Sequence, residues 1–188
     1  MGKKVVLWGI LGGVLLFVWG AVSHMALGLY DTSIRSLPGE ETLLPAMQTA
    51  ITAPGFYFFP GIDEKTADEA TKQKWMEKIK TGPTGILVYR PRGGEALSPR
   101  QLVTELLTNI AAILIAAWLL SQAPGLGFGG RVLFVTLLGL FTWLMVDVSY
   151  WNWYGFPTAY TLANFVDQVV GCLLVGLLLA WAFRPRAA

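Results

Sequence analysis

Three carboxylates fall inside stretches that are otherwise apolar: Glu105, Asp147 and Asp167. The only histidine, His24, sits in a fourth such stretch. An ionised side chain at the centre of a bilayer costs about 2.5–3.5 kcal/mol on insertion scales, and its position there is read first as a site. Carboxylates and an imidazole can bind a cation, hold a quinone-like headgroup or pass a proton. They can also ligate a divalent metal, but no HxxxH or ExxH spacing accompanies them. The sequence therefore names no metal and no cofactor. The one cysteine, Cys172, excludes an intrachain disulfide and a thiolate-rich zinc or iron–sulfur centre. One histidine excludes a bis-histidine haem held by this chain alone.

The stretches that carry these groups must be helices. At about 100° per residue, Gly9, Gly13, Gly20 and His24 share a face of the first. Glu105, Asn109, Ala112 and Ala116 share a face of the second. Thr136, Gly139, Trp143, Asp147 and Tyr150 share a face of the third, and Asn164, Asp167, Gln168 and Gly171 a face of the fourth. In each, the polar groups lie on the stripe of small residues, and small residues mark close helix packing. Gly9, Gly13, Gly20, Ala112, Ala116, Gly139 and Gly171 are thus expected at helix interfaces. His24, Glu105, Asn109, Asp147, Tyr150, Asn164, Asp167 and Gln168 are expected to form one polar layer inside a bundle. That layer is either a hydrogen-bond network that fixes register or a binding site.

Composition supports a membrane bundle. The chain has 188 residues, 54% of them hydrophobic and only 14% charged. Its mean hydropathy is +0.54. Ordinary soluble domains carry about 25% charged residues. A net charge of +2 is too small to suggest nucleic acid. The expected fold is an α-helical integral membrane protein, a four-transmembrane-helix bundle with a small α+β extracytoplasmic module between helices 1 and 2. The boundaries read as helix 1 over 1–29, the module over 30–101, helix 2 over 102–120 and a cytoplasmic turn over 121–131. Helix 3 then covers 132–150, an outer aromatic loop 151–161, helix 4 162–183 and a cytoplasmic tail 184–188. The first apolar run is longer than the roughly 7–15 residues of a signal h-region, so it is expected to be retained as a span.

Charge sets the expected orientation. Lys3, Lys4, Arg131, Arg184 and Arg186 flank the spans on one side without an acid, whereas the long loop balances nine acids with nine bases. Positive flanks stay in the cytoplasm. Both termini are therefore expected inside, in the cell inner (plasma) membrane, with the main loop periplasmic or extracellular. Trp151, Trp153, Tyr154, Phe156 and Tyr160 fit an outer interfacial belt, and Trp8, Trp118 and Trp181 an inner one. All four acidic and imidazole groups then lie in the outer leaflet.

The module contains seven of the ten prolines, which favours short elements joined by fixed turns. Residues 55–59 and 85–90 read as strands. Residues 64–80 read as a helix with Asp63 as its cap, Gly82 at its end and Trp75, Met76 and Ile79 as an apolar stripe. A shorter helix is expected over 40–52. So small a unit buries little apolar area by itself.

The order of a long outer loop followed by a short one is similar to the topology of claudin-like four-helix proteins. The paired cysteines and tryptophan signature of that family's first loop are absent, so the likeness is one of architecture alone. No nucleophile elbow, phosphate loop or zincin motif is present. The glycine run 125–130 follows a helix rather than a strand, which removes it as a nucleotide fingerprint. The functional expectation is a non-catalytic accessory, assembly or scaffold subunit of a larger membrane complex. Its partners would be the lipid bilayer and other membrane subunits or further copies of itself, with no nucleic acid. The alternative is small-molecule or ion binding or transport, or a membrane enzyme, using His24, Glu105, Asp147 and Asp167.

Overall fold

The computed structural model describes residues 2–184. The expected tail beyond Arg184, with Arg186, lies outside the described residues. The chain divides into two compact units, residues 1–35 with 96–188 and residues 36–95.

Among the described residues, the first unit holds four helices long and apolar enough to cross a membrane. They are α1 (Lys3–Ala21), α4 (Pro99–Ser121), α5 (Phe128–Tyr154) and α6 (Thr158–Ala182). At 1.5 Å per residue the longest, α5, extends about 40 Å. α4 and α5 overrun the expected spans at both ends and α6 at its start, because polar and aromatic flanks continue the helices, while α6 stops at Ala182, one residue short of the expected end. Ser98 and Gln101 close a reciprocal capping box around Pro99 at the first helical position of α4. α5 runs on through Trp151–Tyr154 to Gly155, whose φ of 69° supplies the left-handed cap. The expected aromatic loop thus shrinks to a turn at 155–157, and the turn between α4 and α5 to 122–127.

α1 ends differently. Its last residues, Val22–Ala26, form a π-helical turn closed by Leu27 N–H donating to the Val22 carbonyl at 3.0 Å. Gly28, at φ +57°, then reverses the chain. The expected helix to residue 29 therefore stops short, and Tyr30 is turned back into the unit, where it is buried.

Contacts fix the packing order. α4 packs on α1, α1 on α6 and α6 on α5, whereas α4 and α5 touch only lightly. All three close pairs are antiparallel. Gly9 faces Leu114 while Gly13 faces Ile110, and Trp8 meets Trp181 while Gly171 faces Leu16. Gly139 abuts Gln168 and Cys172, and Gly176 abuts Val132. The apolar core, Val5, Ile113, Ala117, Leu120, Val135, Val175 and Leu179, occupies the half of the bundle that contains the N-terminus.

The second unit holds α2 (Glu40–Ala50), β1 (Gly55–Phe59), α3 (Glu69–Thr81) and β2 (Gly85–Tyr89). β1 and β2 pair antiparallel, Tyr57 opposite Leu87. α3 starts later than the sequence suggests. Asp68 rather than Asp63 is its cap, accepting from the Thr71 N–H, while Asp63 organises the turn before it through Thr66 and Lys65. Gly82 ends α3 as expected, in extended backbone. Of the predicted stripe only Trp75 is partly buried, its indole donating to the Pro60 carbonyl at 2.9 Å. Met76 and Ile79 are exposed.

Candidate functional site

The half of the bundle opposite the core is not solid. A cavity of about 750 Å³ lies among α1, α4, α5 and α6. Its wall is mainly apolar, with Leu16, Phe17, Ile113, Ala116, Val135 and Leu138 among its lining. Its polar lining comes from His24, Glu105, Asn109, Thr142, Asp167 and Gln168. By position along the antiparallel helices, these polar groups gather at the end away from the core. α4 and α5, which both line the cavity, touch each other only lightly.

The polar end divides into two small networks joined through α6. In the first, Tyr30 Oη donates to Asn164 Oδ1 at 2.7 Å and approaches Asp167 Oδ2 at 3.3 Å. The His24 ring stacks on Tyr30, with centroids 4.3 Å apart and planes 6° from parallel. Its Nε2 lies 3.7 Å from Asp167 Oδ2. The π-helical turn and Gly28 make this possible, because a continued α-helix would carry Tyr30 past α6. Burial, and then the charge of Asp167, raise the Tyr30 phenol above its ordinary range. In the second network Gln168 Nε2 donates to Asp147 Oδ2 at 2.7 Å, locking α6 to α5. Two indoles reinforce the frame: Trp19 donates to the Asp167 carbonyl at 2.9 Å and Trp143 to that of Thr161 at 2.8 Å.

Acceptors outnumber donors here. Asp167 Oδ1 and Gln168 Oε1 are buried without a hydrogen-bond partner among the described residues. Glu105 is exposed to the cavity and makes neither an ion pair nor a side-chain hydrogen bond among them.

Comparison with family models, curated proteins and solved structures returns no match to this chain. Its function is therefore argued from this geometry.

Of the eight polar residues expected in one layer, His24, Asn164 and Asp167 meet around Tyr30, and Asp147 meets Gln168. Glu105 and Asn109 face the cavity from α4. Tyr150 stands apart, exposed and packed on Tyr154 and Phe156, because it lies nearly a turn beyond Asp147 beside the 155–157 turn. No group of three His, Cys, Asp or Glu among the described residues is arranged to hold a metal. The seven small residues also separate. Gly9, Gly13, Gly139 and Gly171 sit where a methyl group would strike a neighbouring helix. Gly20 and Ala112 instead line the cavity, with open space beside Gly20, and Ala116 is buried at the cavity wall. Tyr30 escaped the sequence reading because it falls outside helical phase. Its one signal was a phenol two residues after a glycine at the end of an apolar run.

Proposed function

We propose that the chain is an integral membrane protein that holds a lipophilic small molecule within its four-helix bundle. The cavity carries this reading. Its volume matches the roughly 300–1,000 Å³ of small-molecule sites, and an apolar wall with a few converging polar groups is their usual lining. Four helices of sufficient length and apolarity support the membrane placement. Unaccompanied basic residues at the chain termini and at Arg131 support cytoplasmic termini and an extracytoplasmic residue 36–95 unit, with the polar end of the cavity in the outer leaflet.

The test uses full-length protein extracted with its surrounding lipid by an amphipathic copolymer. Small molecules are then identified by mass spectrometry. Gly20 lines the cavity and a Cβ there meets nothing within 4 Å, so Gly20→Leu is the variant that fills this space. A compound enriched over bulk membrane lipid in the wild type and lost in the folded Gly20→Leu variant is the expected result. Identical small-molecule content in both overturns the reading.

A second reading, an accessory subunit of a larger membrane complex, is favoured by one observation. No residue from Ser36 to Glu95 is buried within the chain, which suits a unit completed by a partner. Excision of that unit is its test.

A further inference from the structure

Resting on the small-molecule reading above, we infer that the cavity's ligand is an amphiphile with a protonated amine at its head. The lining residues decide the charge. Two carboxylates, Glu105 and Asp167, line the cavity, and neither a lysine nor an arginine does. An anionic head, a fatty acid or a lipid phosphate, would meet these acids where apolar walls weaken screening. A neutral head would leave Glu105 uncompensated.

Glu105 needs an external partner. It sits about one turn into the apolar run of α4, where an ionised carboxylate is costly to place. No basic group of the described chain pairs with it. An ammonium at this end of the cavity supplies the missing charge. It also supplies three hydrogen-bond donors, which the cavity-facing Glu105 carboxylate, without a side-chain partner among the described residues, can accept. His24, its ring held flat against Tyr30, stands at the same end and can accept through one ring nitrogen when neutral.

The walls fit the remainder of such a molecule. Phe17 and Trp19 line the cavity near the acids, and aromatic faces attract ammonium groups. Leu16, Ile113, Ala116 and Val135 extend the lining towards the core, where an alkyl chain would lie.

The experiment compares three molecules with one tail and different heads: dodecylamine, dodecanol and dodecanoate. Each is radiolabelled and equilibrated with nanodiscs of zwitterionic lipid, with and without the full-length protein. Retention above empty discs is read at about pH 8, where the amine is protonated and the acid ionised. Dodecylamine is expected to bind about ten-fold tighter or more than dodecanol, with dodecanoate weakest. Glu105→Gln, which keeps size and helix propensity, is expected to erase most of the preference for the amine while dodecanol binding persists. Gly20→Leu, and independently Ala112→Leu, are expected to remove retention of all three. Equal retention of the three heads, lost in the cavity-filling variants, leaves the small-molecule reading standing and overturns the amine head. A preference for dodecanoate overturns it as well. Amine retention that survives both cavity-filling variants places the amine outside the cavity and overturns the inference. No retention of any of the three overturns both readings.

Discussion

Tyr30 is the residue on which the polar end turns. Its hydroxyl bridges Asn164 and Asp167, and its ring supports His24. Tyr30→Phe keeps the stack but strands Asn164 Oδ1, so it should cost about 1 kcal/mol of stability, measured by denaturant unfolding in detergent. The direction of the phenol's shift sets a pH dependence. Its ionisation is raised in the folded protein, so the stability it contributes is complete below the ordinary tyrosine pKa of about 10 and is lost only as pH rises through the raised value. A spectrophotometric titration should show a late-ionising tyrosine component, and Tyr30→Phe should delete it. A wild-type titration with all tyrosines ionising together would contradict the assignment. The acids and amides of this end were legible from helical phase alone, since Asp167, Gln168 and Asn164 fall on one stripe. Tyr30 was not, because a π-helical turn and a left-handed glycine reset the phase before it, and no periodicity survives such a break.

Among the elements, the glycines of α1 separate into two kinds. Gly13 lies against the backbone of Ile110, so even a methyl group pushes α4 away. Gly20 has nothing within 4 Å of that position. Gly13→Ala should therefore destabilise by about 1–3 kcal/mol through overpacking. Gly20→Ala should be neutral or stabilising by a few tenths to about 1 kcal/mol, since alanine is the better helix former. Thermal unfolding in one detergent compares the two directly, and equal effects would refute the packing described. Sequence spacing put both glycines on one stripe, correctly, but a stripe does not say whether a helix or a space faces it. Element identity was legible throughout: four long helices, two short strands and two short helices stand where apolar runs and turn residues put them. Their ends were less so. Apolarity marks the run that suits lipid, whereas Ser98, Gln101 and Gly155 set where the backbone stops being helical.

At the scale of the whole molecule, the charge asymmetry and the split between apolar and proline-rich segments were plain in the sequence. The cavity was not, because it depends on which helices pair, and composition does not distinguish α4 on α1 from α4 on α5. The residue 36–95 unit carries the partner reading at this scale. Replacing it with a short flexible linker should leave the four helices folded by circular dichroism, yet remove any stoichiometric partner recovered with the full chain from native membranes. A partner retained without the unit would remove this support for the accessory reading. α4 is fastened along a single edge, to α1, where Gly9 and Gly13 let backbone meet backbone. Six residues, 122–127, tether it to α5 at one end only. Such a helix is held like one arm of a clothes-peg, gripped along its α1 edge and barely touched on its α5 side.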